Sequence, residues 1–285
     1  MALEPSSIQR DKMLARGKMK LNLVQFLEMK EPGSAQEYLN TTRQTVQKEG
    51  GRREHQLRID QVITAGKLPY QYLTVDRFPS NMALLQAHEN SREIRQESLN
   101  EVYALIVQPN PAAKKVAMGL GFLSSILTRW LRTAGIRELE QFEENSDSLD
   151  PETDPDAEKV MGFSREKLSE PFFMMNLNQF SHSPRRGEGG RSAYNQYSAR
   201  IIPRLISVGG YPDIYGKILS TYIGDQKSAL SNNWHDFTLV YYPSRTSFLR
   251  LMTNTPRGAA EIRREGLKKV VLMASSTIKQ YHPEP

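Results

Sequence analysis

The chain has 285 residues and a mass of 32.5 kDa, with 38% hydrophobic and 25% charged residues, enough for one large domain or two of ordinary size. It contains no cysteine, which excludes a disulfide framework, a thiolate nucleophile and cysteine-ligated zinc or iron–sulfur clusters. The net charge of +6 averages over unlike parts: ten acids and no base lie between Glu138 and Glu158, so −10 there is set against +16 elsewhere.

Residues 1–18 read as a flexible N-terminus. They lack the apolar core of a secretory signal, and Glu4 and Asp11 break the acid-free pattern of a transit peptide, so a cytoplasmic protein is expected. Residues 19–109 form a first unit. LNLVQFLEMK (21–30) has strand character, and Ser34 to Glu49 carry Ala35, Tyr38, Leu39 and Val46 at helical spacing before Gly50-Gly51 stops the helix. Strand-like segments at 53–63 and 70–78 follow, then Pro79-Ser80 opens a helix with Ser80 as N-cap, and Glu101 to Val107 closes the unit as a strand. This β-α-β-β-α-β order is the ferredoxin-like pattern.

Residues 110–136 contain a basic amphipathic helix, with Val116, Leu120, Leu123, Leu127, Trp130 and Leu131 on one stripe and Lys114, Lys115, Arg129 and Arg132 as its charges. Residues 137–168, acidic and interrupted by Pro151 and Pro155, read as a disordered linker. The strand–helix order then returns in residues 169–278. PFFMMNLNQF (171–180) is a strand, Ser192 to Val208 a helix stopped by Gly209-Gly210, 212–223 and 235–242 are strands, Pro243-Ser244 opens a helix, and 267–275 is the last strand. Residues 279–285 read as a flexible C-terminus. Landmarks recur in order: Asn22-Leu23-x-Gln25-Phe26 with Asn176-Leu177-x-Gln179-Phe180, Tyr38 and Tyr197 twelve residues before their glycine stops, and Phe78-Pro79-Ser80 with Tyr242-Pro243-Ser244. An internal duplication is inferred.

The segments NLNQF, GRSAYNQYSARIIPRLISVGG and WHDFTLVYYPSRTSFLRLM resemble a widespread bacterial family of uncharacterised small domains in the dimeric α/β-barrel superfamily. Glu261-Ile262-Arg263-Arg264 departs from the His-Arg pair that relatives place there. The resemblance implies an α+β fold of two ferredoxin-like repeats packed as a pseudo-dimeric α/β barrel. It further implies a lumen holding a small ligand, as in the superfamily's monooxygenases, isomerases, cyclases and haem enzymes.

Within that frame, strand alternation puts Asn22 and Asn176 on faces that enter the lumen if the more apolar face lies under the helices, where both amides would bind substrate; the bland alternative is satisfaction of local backbone groups. Tyr38 and Tyr197, on apolar helix stripes, are candidate substrate contacts or core residues. His235, opening a strand, is the candidate general base, with Tyr242 and Arg245 at a helix start as catalytic partner and anion holder. No cofactor or metal is expected, since no metal-ligand spacing appears; haem would need His182 or His235 as its axial ligand. No RNP-type motif or zinc finger occurs, so nucleic acid is not favoured as a partner. The expected function is binding of a small apolar or aromatic ligand in the lumen, with cofactor-independent acid/base or oxygen chemistry there. The alternative is a non-catalytic protein engaging a membrane surface or protein partner through the helix at 112–134.

Overall fold

The computed structural model describes residues 3–15, 19–64, 66–110, 119, 153–182, 189–255 and 258–278. The basic helix expected over 112–134, the acidic stretch up to residue 152 and the tail 279–285 lie outside the described residues, apart from Gly119.

Eight strands, β1 (Leu21–Met29), β2 (Arg52–Val62), β3 (Tyr72–Phe78), β4 (Leu99–Pro109), β5 (Phe172–Phe180), β6 (Tyr211–Ile223), β7 (Asp236–Tyr242) and β8 (Leu267–Thr277), form an antiparallel closed barrel in the order β1-β3-β2-β8-β5-β7-β6-β4. Around it lie α1 (Ser7–Leu14), α2 (Ala35–Lys48), α3 (Asn81–Asn90), α4 (Arg92–Ser98), α5 (Ala157–Glu166), α6 (Gly190–Ser207), α7 (Arg245–Thr253) and α8 (Ala259–Gly266), making the fold α+β. Among the described residues no helix is long and apolar enough to cross a membrane.

Local chemistry sets the element ends. Ser80 and Ser244 cap α3 and α7, their hydroxyls accepting from the Ala83 and Ser247 N–H groups. Gly50 and Gly209 take φ of 75° and 84° at the ends of α2 and α6, a left-handed conformation that costs glycine little. Each is followed by a second glycine for a different reason. A Cβ on Gly51 would lie 3.0 Å from the Arg77 carbonyl oxygen, and one on Gly210 would lie 3.0 Å from that of Tyr241, so the pair lets the helix end press against the sheet.

Two separate ferredoxin-like sheets stacked face to face are not what forms. The first half contributes β4-β1-β3-β2 and the second β8-β5-β7-β6, but β2 bonds to β8 and β4 to β6, closing one ring. Each half-sheet alone would leave two edges of unpaired backbone groups, and pairing edge with edge removes all four. One sequence landmark also fails. Leu21 pairs with Phe78 and Phe172 with Tyr242, so Asn22 stands in the place of Phe173, and Gln25 in that of Asn176. The NLxQF match is three residues out of structural register, and an odd shift reverses the face of every shared residue.

The barrel interior is a packed apolar core to which every strand contributes, with Phe26, Leu73, Leu105, Met175, Leu177, Phe237, Leu239 and Met273 fully buried in it. Tyr70, Leu230 and Trp234 close one end; the Tyr70 hydroxyl donates to Glu101 at 2.8 Å and the Trp234 indole to the Leu230 carbonyl at 2.8 Å. Separate cores lie under the helices of each half.

Two expected flexible regions are folded where described. In the N-terminal eighteen residues, Ser6 and Gln9 form a reciprocal capping box for α1, Met13 is buried, and the Glu4 carboxylate meets Arg95 at 2.6 Å and His88 at 2.9 Å. In the second region, the final part of 137–168 contains α5, capped by Asp156 and burying Val160, Met161 and Phe163 against β2, β5 and α7. Apolar burial at helical spacing outweighs the acidic composition there.

Candidate functional site

The expected site residues separate into different places. Asn22 faces the barrel interior, 1% exposed, beside Val24 and Phe26 on the inner face of β1. Asn176 does not join it. On β5 the inner face carries Met175 and Leu177, and Asn176 points under the helices. Both faces of the strand are covered, so alternation alone cannot say which is inner.

His235 serves as a fastener. Its Nδ1 accepts the Phe180 backbone N–H at 2.9 Å, and its ring stacks on Phe180 at 5.4 Å. Accepting at Nδ1 leaves the neutral ring's proton on Nε2, and burial together with the nearby His182 lowers its pKa. No ring nitrogen is therefore left as a base. Arg245 is 3% exposed and tied to α5: Nη1 donates to the Phe163 carbonyl at 2.7 Å, and the guanidinium lies 3.9 Å from the Phe163 ring centroid. It lines a polar groove of about 690 Å³ with Arg58, Asp60, Lys159 and Lys167. Tyr242, three residues earlier, points elsewhere. Tyr38 is buried in the first helical core, and burial raises its pKa to about 12.

What the fold does bring together is Asn176, Tyr197 and Tyr242. They line a pocket of about 440 Å³ between the outer face of β5, β7 and β8 and helices α6, α7 and α8, a volume ordinary for small-molecule sites. Tyr194 lies beside Tyr197, ring centroids 5.6 Å apart, because the two are three residues apart on one face of α6. Met174, Ile201, Phe248, Leu251 and Leu272 supply apolar wall. At its rim Arg263 and Arg264 hold the buried Asp154 carboxylate, with contacts at 2.6 Å and 2.7 Å. Burial raises the pKa of all three tyrosines, reinforced in Tyr242 by the neighbouring phenols and in Tyr194 by Tyr197. They are neutral donors at physiological pH. Among the described residues the Asn176 amide makes only a 3.3 Å contact to the Met174 carbonyl of its own strand.

The matching place in the first half is full. There Leu23, Gln25, Tyr38, Thr42, Phe78, Leu84, Ala87 and His88 stand where Met174, Asn176, Tyr197, Ile201, Tyr242, Phe248, Leu251 and Met252 stand in the second, around a space of about 20 Å³. The filling is polar. Arg53 bonds Asp76 at 2.6 Å and 3.1 Å, Gln25 reaches Thr74 and Asp76, and Arg95 reaches the His88 carbonyl. The Arg53–Asp76 pair of neighbours on β2 and β3 corresponds to Pro212 and Val240 on β6 and β7, so the second half has no ion pair to occupy the space.

Sequence reasoning missed Tyr194, Arg263, Arg264 and Asp154 as parts of one site. The spacing of Tyr194 and Tyr197 was a legible hint. Asp154 was not, because it sits among ten acids and only the fold singles it out. Neither His182 nor His235 lines the pocket, so neither histidine serves it as an axial haem ligand, and among the described residues no His, Asp and Glu group is arranged to hold a metal ion.

No protein-family model matches the chain, and no curated protein does. Among solved structures, a protein of unknown function from Rhodopseudomonas palustris is 22% identical over 45% of this chain and 98% of its own, with a TM-score of 0.41. A proposed monooxygenase from Lactobacillus acidophilus NCFM is 7% identical over 90% of this chain and 93% of its own, with a TM-score of 0.42. Another from Fusobacterium nucleatum subsp. nucleatum is 10% identical over 91% and 92%, with a TM-score of 0.44. Likeness at this level carries no functional argument, and the residues of the site must.

Proposed function

We propose that this chain binds a compact, mainly apolar molecule bearing a carbonyl or carboxylate, held in the pocket beneath α6, α7 and α8. The observation that carries this is the contrast between matching places: about 20 Å³ filled by charged and polar side chains in one half, about 440 Å³ lined by phenols and apolar side chains in the other. On this reading one half of the barrel closed its cavity and the other kept it.

The donor set points to an acceptor. Tyr194, Tyr197 and Tyr242 keep their protons, Asn176 adds an amide, and Arg263 lies close enough to influence all three phenols. A ligand carbonyl or carboxylate placed among them gains hydrogen bonds, while its apolar body meets Met174, Ile201 and Leu272. Asp154 is shared between two guanidiniums and is not poised as a base, so the pocket supports binding in preference to acid/base chemistry.

Isothermal calorimetry with 1-naphthoate tests the proposal. Naphthoate binds, and Tyr197→Phe and Asn176→Leu each weaken it about tenfold, which is about 1.4 kcal/mol. Ile201→Trp fills the space and abolishes binding. Undiminished affinity in Ile201→Trp would place the ligand elsewhere and overturn the assignment.

A further inference from the structure

The barrel end at which β1, β2, β5 and β6 begin is built differently from the end plugged by Tyr70 and Trp234. In the eight-strand ring β2 and β6 stand diametrically opposite. Nevertheless His55 of β2 and Asp213 of β6 meet across the mouth, Nε2 to Oδ2 at 2.6 Å. Both sit at breaks in strand register, between Arg53 and His55 on β2 and between Pro212 and Ile214 on β6. Bulges of this kind re-aim a side chain that regular pleating would leave against its neighbours. The pair retains access to solvent, with 14% and 20% of side-chain surface exposed.

An aromatic wall flanks it. The His55 ring lies 5.1 Å edge-on from Phe173, Phe173 lies 5.5 Å from Tyr241, and Tyr241 lies 5.0 Å from Tyr211. Next to Phe173 in register is Ser275 of β8, completely buried, whose hydroxyl has no hydrogen-bond partner among the described residues. Asn22, on the facing part of the ring at the same end, is 1% exposed with neither amide atom partnered among the described residues. Buried polar atoms are almost always satisfied. Two orphans at one barrel end, beside the His55–Asp213 pair and an aromatic wall, mark hydrogen-bonding capacity that the other described residues do not use.

We propose that this mouth is a second ligand site, in which His55 and Asp213 form an acid–base dyad acting on a planar molecule with an amide or enol edge. The Asp213 carboxylate accepts a hydrogen bond from His55 Nε2–H, which orients the ring with Nδ1 as its acceptor toward the ligand. A ligand N–H or O–H proton passes to Nδ1 and returns from it, with no electron transferred. Phe173 and Tyr241 face the ligand ring, and Asn22 and Ser275, which both donate and accept, complement its polar edge when it enters. The dyad exists only because the two halves close on each other, since each contributes one member.

Benzamide serves as the probe, followed by long-range nitrogen–proton NMR of the histidine rings. In the free protein His55 carries its proton on Nε2, and millimolar benzamide shifts the His55 ring signals while leaving those of His88 and His235 unmoved. Ser275→Ala leaves Tm no lower than in the parent protein and weakens benzamide several-fold. The same shifts occur in Ile201→Trp, which separates this site from the tyrosine pocket. An Nδ1-protonated His55, His55 signals indifferent to benzamide, loss of the response in Ile201→Trp, or Ser275→Ala lowering Tm with benzamide binding unchanged would each overturn the proposal.

Discussion

Asn22 shows how much one side chain can cost a fold. Its amide is buried in the barrel interior with both polar atoms unpartnered among the described residues, and a buried unsatisfied polar group costs about 1–3 kcal/mol. Leucine has the same branched heavy-atom skeleton and no such need. Asn22→Leu is therefore expected to stabilise the protein by about 1–2 kcal/mol, read as a higher urea midpoint with unchanged slope. A lower midpoint would show that the amide is satisfied in solution. His235 and Arg245 teach the converse. Each looked reactive from its place at a strand or helix start, yet each is used to satisfy backbone groups, the Phe180 N–H and the Phe163 carbonyl. Chain ends of elements gather polar side chains for this structural reason as well as for chemistry.

At the scale of elements, the helices α1 and α5 were hidden for different reasons. The capping box of Ser6 and Gln9 was present in the sequence, but an eight-residue helix burying only Met13 gives almost no apolar periodicity to read. Its stability comes from tertiary anchors. Burial alone would raise the Glu4 pKa, but hydrogen bonds from His88 and Arg95 outweigh it and lower the value from 4.5 to about 2. The folded value lies below the unfolded one. The stabilisation is thus complete above about pH 4.5 and is lost as pH falls toward about 2. Glu4→Gln is expected to lower the urea midpoint at neutral pH and to converge with the parent protein across that acid window; a gap that persists at the acid end would remove Glu4 from the anchor. The second hidden helix, α5, was masked by its surroundings, since the acids around Asp154 and Asp156 dominate any composition window. The helical segment that Ser80 opens also divides, into α3 and α4 at Ser91.

At the scale of the molecule, the halves depend on each other through two seams and one shared interior. Strand β2 needs β8, β4 needs β6, and the inner faces of all eight strands form a single core. Residues 1–110 alone would expose two sheet edges and an apolar face. That fragment is expected to aggregate or self-associate, and co-expression with residues 153–285 to restore a soluble complex at the size of one chain, as read by size-exclusion chromatography. A monomeric, soluble fragment would show that the half-sheet is self-sufficient.

The residues that determined structure by themselves are those whose effect is local. Ser80 and Ser244 cap, Gly50 and Gly209 stop a helix through backbone conformation, and alternating apolar residues make strands, so the element order could be read from the chain in every part where periodicity was strong. The tertiary structure alone decided three things: which face of β5 is inner, which edges join, and which of two matching cavities stays open. The first is undetermined locally because both faces of the strand are apolar and covered. The second depends on backbone groups that every sequence shares. The third turns on Gln25, Arg53, Asp76 and Arg95, residues far apart in the chain that fill one cavity together, while Pro212 and Val240 leave the other to Tyr194, Tyr197, Tyr242 and Asn176.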